Sequence, residues 1–193
     1  MKEIILATSS QPRKEAFRLL GLDFSAEGSD VDEYFEGRPN SPEELVLHLA
    51  RLKAQAVAKK HSEGIIIGFD SIGWYNGKIL EKPKSREEAF ERLKSLSGKH
   101  HGFYTGIYMI DLATNHDISK FIYTNLFMRE INEREINKYL SQDEKFNTYA
   151  LGYDPLGHYS STFLERIEGS YNNVTRGIPL EVVVEMLKGI HAF

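Results

Sequence analysis

The sequence predicts an α/β fold, and three observations carry that prediction. Ile65-Ile66-Ile67-Gly68-Phe69 is a short, unbroken apolar run rich in β-branched residues, which reads as a central strand covered on both faces. Ile4 to Ala7 reads as a strand that leads through a polar loop into a helix, an order suited to binding phosphate. Ser41-Pro42-Glu43-Glu44 opens a long amphipathic helix between those two strands, with a capping box and Pro at the first helical position.

The chain has 193 residues, the size of one domain with room for two lobes. Hydrophobic residues at 41% and charged residues at 27% are ordinary globular values, which excludes a disordered chain and a disulfide scaffold. The formal charge of -4 argues against a protein that coats nucleic acid. With no cysteine there is no thiol nucleophile, thiolate metal site or disulfide. No stretch reaches the roughly 20 apolar residues of a membrane span, and Met1-Lys2-Glu3 leads into a strand instead of a cleavable signal. The expected location is the cytoplasm, with no membrane partner. Asn173-Val174-Thr175 then has the form of a glycosylation acceptor only by chance.

After the first strand, Ser10, Pro12 and the apolar Ala16, Phe17, Leu19 and Leu20 form a helix closed by Gly21. Leu45, Leu49, Leu52 and Ala56 hold one face of the second helix, which is expected to run to about His61. Asp70 stands where the apolar strand is expected to end, followed by a segment that reverses. Asn76-Gly77, between Ile72-Gly73-Trp74-Tyr75 and Lys78-Ile79-Leu80, marks a hairpin that returns to Glu81 and Lys82. Ser85-Arg86-Glu87-Glu88 caps a helix ending near Gly98, Gly102 to Leu112 and Ile118 to Ile131 read as strands, and Asn132 with Glu135 caps a short helix. Between Asp143 and Thr162 the pattern weakens into a long functional loop. Phe163 to Ile167 is a strand, and Pro179 opens a last helix stopped by Gly189.

Several side chains have chemistry in reach. Asp70 is the first, because a carboxylate at the mouth of a buried strand is rarely there for packing. Ser9, Ser10 and Arg13 put hydroxyls, free backbone N–H groups and a guanidinium at a helix N-terminus, which suits an anion. Ser10 as a plain cap and Arg13 as a solvated charge fit those residues as well. Asp30, Asp32, Glu33 and Glu36 suit a hard divalent cation or a solvated turn. Lys53 projects from the edge of its helix into a cleft or merely snorkels there. Lys82 is fixed by Pro83 or simply exposed. Trp74 and Tyr75 stack on a base or pack across strands. The seven histidines have no metal-ligand spacing, and adjacent His100 and His101 point to opposite faces of a strand. Together, cations from three elements (Arg13, Lys53, Lys82) and the acids Glu33 and Asp70 match a polyphosphate with its divalent ion.

At these residues the sequence resembles the Maf family of nucleoside triphosphate pyrophosphatases. Leu6-Ala7-Thr8-Ser9-Ser10-Gln11-Pro12-Arg13 resembles the opening segment, where a Ser and an Arg three residues later form a phosphate site. Asp32-Glu33 resembles the acidic pair, Leu49-Ala50 with Lys53-Ala54 the helix motif, and Ile66-Ile67-Gly68-Phe69-Asp70 the catalytic strand. Glu81-Lys82-Pro83, Leu96-Ser97-Gly98, Tyr104-Thr105-Gly106 and Glu168-Gly169-Ser170-Tyr171 follow in order, so the likeness covers nearly the whole chain, 1–193.

The resemblance implies an elongated α/β fold with a central mixed sheet, flanking helices and two lobes around a cleft, often assembled as a homodimer. It implies hydrolysis of a nucleoside triphosphate to the monophosphate and pyrophosphate with Mg²⁺ or Mn²⁺. The catalytic set is then Asp70, Glu33 and Lys53, the substrate-binding set Ser10, Arg13, Lys53, Ser71 and Lys82, and the metal ligands Glu33 and Asp70. Pro12 stands where the branch acting on dTTP and UTP has the first of two arginines. Together with Phe103-Tyr104-Thr105-Gly106, it makes the chain more similar to the branch acting on 7-methyl-GTP. The segments 147–157 and 174–179 depart from the family pattern. The rival expectation is a catalytically impaired nucleotide-binding regulator linked to cell division; a division factor bound to nucleic acid is disfavoured by the acidic charge.

Overall fold

The computed structural model describes residues 2–192. Its elements are β1 (Ile4–Ala7), α1 (Gln11–Arg18), β2 (Ser25–Glu27), α2 (Pro42–Ala58), β3 (Ile65–Tyr75), β4 (Lys78–Leu80), α3 (Arg86–Leu96), β5 (His100–Asp111), β6 (His116–Met128), α4 (Glu133–Gln142), β7 (Leu164–Glu168), α5 (Tyr171–Arg176) and α6 (Leu180–Gly189). The strands form one seven-stranded mixed sheet in the order β2-β1-β3-β5-β6-β7, with β4 paired to β3. β1 is parallel to both β2 and β3, whereas β4 and β7 pair antiparallel with their neighbours.

The chain divides into two compact units. The first comprises the residues up to Ser71, Thr105–Ile122 and those from Arg176 onward; the second comprises Ile72–Tyr104 and Tyr123–Thr175. In the first unit the period-2 alternation of the strands sorts side chains between two cores. Ile65, Ile67 and Phe69 of β3 join Ile4, Leu6, Phe17 of α1 and Val183 and Leu187 of α6. Ile66 joins Ile5, Ala7 and the α2 residues Ala50, Ala54 and Val57 on the other face. Helix α1 therefore covers one face and α2 the other, so the chain crosses from one side of the sheet to the other around β1. In open α/β sheets, ligands bind beyond the carboxyl ends of strands at such a reversal.

Two glycines set how closely α2 lies on its face. A Cβ at Gly68 of β3 would overlap the carbonyl oxygen of Ala50 and sit 2.9 Å from Ala54 Cβ. A Cβ at Gly106 of β5 would overlap the Val46 carbonyl and approach Leu47 N to 2.8 Å. Backbone packs directly on backbone there, and only Gly permits it.

In the second unit Leu93, Leu96, Phe103, Leu126, Tyr139, Leu151, Tyr153 and Phe163 form a separate core. Asn132 accepts from Arg134 and Glu135 while Glu135 accepts from the Asn132 N–H, the expected capping box of α4. The stretch 143–162 is the long loop expected, holding only two short 3₁₀ turns, and it is anchored in the core by the buried Leu151 and Tyr153.

Three features differ from the sequence expectation. β3 does not stop at Phe69 but runs through Asp70 to Tyr75, because the segment expected to reverse is the extended first arm of the Asn76-Gly77 hairpin. β2 was unexpected; Ser-Ala-Glu has no strand-like alternation and is held by its parallel pairing with β1. Helix α5 was also unexpected, its six residues being too few for a periodic signal. Of the two readings of Trp74 and Tyr75, the structure shows partners within the fold: Trp74 pairs with Ile79, and the Tyr75 hydroxyl donates to the Ser95 carbonyl at 3.1 Å.

His101 is buried, its Nε2 3.0 Å from the Tyr153 hydroxyl, while His100 is exposed. Burial first, then the neighbouring His100, pulls the His101 imidazole down to about 4. As pH falls below about 6.5 the unfolded chain takes up this proton before the folded one does, so stability is lost between about 6.5 and 4. His101→Phe should lower stability overall yet remove this slope, on the order of 3 kcal/mol by pH 4, in urea melts compared with the parent protein. Gly68→Ala should cost about 3 kcal/mol or more in the same melts, since backbone must move to admit the methyl.

Candidate active site

Asp70 lies two residues beyond Gly68, the last β3 residue paired with β1, and shares the α2 face with Ile66 and Gly68. It is only 5% exposed. Its partner comes from α2, which begins at Ser41, whose Oγ accepts from Glu44 N at 3.3 Å. Lys53 follows Ala50 by three residues and Leu49 by four, so the register that buries those residues turns Lys53 toward the sheet. Its Nζ lies 2.6 Å from Asp70 Oδ1 and 2.6 Å from Glu33 Oε1, with the lysine side chain 14% exposed.

Glu33 arrives on the loop between β2 and α2. Asp32 Oδ1 accepts from Tyr34 N at 2.9 Å, forming a local turn, and Phe35 packs on His48 of α2 with ring centroids 5.1 Å apart. Of the acids in that stretch, Glu33 is the one that meets Lys53, while Asp32 is used in shaping the turn. Burial raises the Asp70 pKa above the ordinary carboxylate value. The Lys53 charge and hydrogen bond oppose that rise, Glu33 adds to it and Arg13 opposes it.

Ser71, the next residue of β3, points to the opposite face. Arg13 Nη2 donates to Ser71 Oγ at 2.7 Å, and Arg13 Nε donates to the Gly177 carbonyl at 2.8 Å. The guanidinium also lies over the Phe69 ring, 5.6 Å from its centroid. Burial lowers the Arg13 pKa, opposed by the negative charges of Asp70 and Glu33, and the group stays a cation. Gly177 has φ +64°, a left-handed conformation suited to glycine, and its carbonyl serves as the Arg13 acceptor.

Ser10 has the extended backbone of an N-cap, but its side chain makes no cap hydrogen bond; its N–H donates to Thr8 Oγ1 at 3.2 Å. Among the described residues, neither the Ser10 hydroxyl nor Arg13 Nη1 has a hydrogen-bond partner. The N-terminus of α1, Ser10 and Arg13 thus form a set of donors without an acceptor, the arrangement that an anion completes. Lys82 belongs to the second unit, exposed on the segment after β4, beside the buried Pro83.

The structure therefore brings Glu33, Lys53 and Asp70 together on one face of β3, and Arg13 and Ser71 together on the other. Sequence reasoning missed two partners in this region. The Gly177 carbonyl is a backbone group that no side-chain motif reveals. Thr105 Oγ1 lies 2.7 Å from Ser71 Oγ; it stands in the quoted Tyr104-Thr105-Gly106 run, and strand alternation alone puts it on the face of Ile107 and Met109.

Residues 3–190 match the family described as Maf-like protein. The chain belongs to the Maf family. A dTTP/UTP pyrophosphatase of Bacillus cereus is 37% identical over 97% of this chain and 90% of its own length. Another protein of that name, from Alkaliphilus oremlandii, is 39% identical over 93% of this chain and 92% of its own length. Among solved structures, the Staphylococcus aureus Ham1 protein superposes with a TM-score of 0.58 at 17% identity, covering 97% of this chain and 99% of that one, a likeness of fold.

In this Maf protein Lys53 is the only cation that touches the Asp70 carboxylate among the described residues. Lys53→Met should raise the Asp70 pKa further, because the main effect opposing desolvation is gone. Carbon NMR titration of the Asp70 carboxyl reads this directly. An unchanged or lowered value would show that the pair does not hold in solution.

Proposed function

We propose that this Maf protein hydrolyses a nucleoside triphosphate to the nucleoside monophosphate and pyrophosphate. The observation that carries the proposal is the meeting of Glu33, Lys53 and Asp70, beyond the end of β1, in the same unit as the open donors of α1. Carboxylates beside an anion cradle suit phosphoryl chemistry better than simple anion storage, for which acids are a hindrance. The names of the relatives, dTTP/UTP pyrophosphatase, point the same way.

In this proposal Arg13, Ser10 and the α1 N-terminus hold phosphate oxygens, with Ser71 beside them. Asp70 accepts a proton from the water that attacks the α-phosphorus, and its raised pKa makes it a stronger base than an ordinary carboxylate. Lys53 keeps Asp70 oriented and stabilises charge moving to the leaving pyrophosphate. Lys82 enters as a phosphate ligand through the family resemblance. The attacking group is water, so the absence of cysteine is no obstacle.

Glu33 and Asp70 also fit a divalent ion, Mg²⁺ or Mn²⁺, as hard oxygen donors from two elements that converge on one cationic centre. No group of three His, Asp or Glu side chains able to hold a metal occurs among the described residues, and Mg²⁺ bound together with substrate phosphates needs only one or two protein carboxylates. Such an ion would neutralise phosphate charge and acidify water.

The relatives make dTTP and UTP the first substrates to test, with 7-methyl-GTP the candidate that Pro12 and residues 103–106 support. The family reading also carries a homodimer and a cytoplasmic setting; no described helix is long and apolar enough to cross a membrane. Pyrophosphate release from these three nucleotides with Mg²⁺ or Mn²⁺ tests the proposal. Turnover is expected on at least one of them, reduced on the order of 10²- to 10⁴-fold by Asp70→Asn with the fold intact. Saturable binding without turnover would replace the enzyme by the nucleotide-binding regulator, and an unimpaired Asp70→Asn protein would remove the base role.

A further inference from the structure

We propose that Thr105 is a positioning residue that sets the proton of the Ser71 hydroxyl toward the substrate; this rests on the phosphate-binding role of Arg13 and Ser71 given above. Thr105 is fully buried on β5, 0% exposed, and Ser71 Oγ at 2.7 Å is the one hydrogen-bond partner of its hydroxyl among the described residues. A buried O–H left without an acceptor is costly, whereas an oxygen with a spare lone pair is tolerated more readily. The favoured order is therefore Thr105 donating and Ser71 accepting.

Ser71 also accepts from Arg13 Nη2 at 2.7 Å. Two donors then occupy both lone pairs of the Ser71 oxygen, and its own hydrogen is left over. That hydrogen cannot point back along either occupied direction. It has to leave the Thr105–Ser71–Arg13 line, and a phosphate oxygen, which only accepts, is a matching partner beside the guanidinium.

The same contacts immobilise Arg13. Its Nε is held by the Gly177 carbonyl and its Nη2 by Ser71, so Nη1 remains the edge available to an anion. Without Thr105 the Ser71 hydroxyl regains a free rotor, and Nη1 and the hydroxyl no longer form a fixed pair of donors. Neither Asp70 nor Lys53 is touched by this chain of bonds, which lies on the other face of β3.

The experiment compares Thr105→Val, which keeps the shape and removes the hydroxyl, with Thr105→Ser, which keeps the hydroxyl. Each is made in the full chain and in the Ser71→Ala background, with unfolding midpoints measured alongside. Affinity for inorganic tripolyphosphate is measured by calorimetry, and KM and kcat for dTTP by pyrophosphate release. Thr105→Val should weaken tripolyphosphate binding and raise KM by about threefold to tenfold with kcat changed less. Thr105→Ser should lie within about twofold of the parent, and in the Ser71→Ala background the loss should vanish.

Equal losses with and without Ser71, or no loss in a folded Thr105→Val protein, overturn the inference. If no nucleotide is hydrolysed but tripolyphosphate binding still depends on Thr105 through Ser71, the positioning role stands and the enzymatic reading alone fails.

Discussion

The site depends on how closely helix α2 lies against the sheet. Gly68 and Gly106 remove two side chains where the backbones of Ala50 and Val46 press on β3 and β5, and the helix settles at backbone contact. That contact fixes the height of Lys53, three residues past Ala50, and brings its ammonium within 2.6 Å of Asp70. A larger residue at either glycine would lift the helix, and a lysine that missed Asp70 would leave a carboxylate only 5% exposed without its cation. An unpaired buried charge costs several kcal/mol as a rough rule, so packing and electrostatics constrain each other here.

Strand alternation then divides the chemistry. Asp70 and Ser71 are neighbours in sequence and on opposite faces in space, one looking toward α2 and the other toward α1. Carboxylates and Lys53 gather on the first face, Arg13 and hydroxyls on the second. This keeps Arg13 from forming a direct salt bridge with Asp70, which would use up the guanidinium that an anion needs. The two carboxylates still act on Arg13 through space, offsetting part of its desolvation.

Most of this was legible in the sequence where a local rule applied. The apolar run at Ile65, the Ser41-Pro42 helix start, the Asn76-Gly77 turn and the capping box at Asn132 each rest on neighbouring residues, and each was found where expected. Charge logic grouped Glu33, Lys53 and Asp70 with Arg13 and Lys82; the first three meet, Arg13 lies with Ser71 on the other face of β3, and Lys82 belongs to the second unit. What escaped depended on tertiary pairing. β2 exists through its pairing with β1, the end of β3 was misplaced because extended chain continues across the expected turn, and the Gly177 carbonyl holds Arg13 from 164 residues away.

The departures from the family pattern bear differently on catalysis once their places are known. The segment 174–179 includes Gly177, whose carbonyl still receives Arg13 Nε at 2.8 Å, so the altered sequence retains an anchor for the guanidinium. The segment 147–157 lies in the second unit, where Leu151 and Tyr153 are core residues and the Tyr139 hydroxyl donates to the Gly152 carbonyl. A buried aspartate held by a lysine costs stability, and a carboxyl group so strongly perturbed by burial beside one cation is characteristic of a functional group. Its presence beside the open donors of α1 favours a nucleoside triphosphate pyrophosphatase over a regulator that has lost its chemistry.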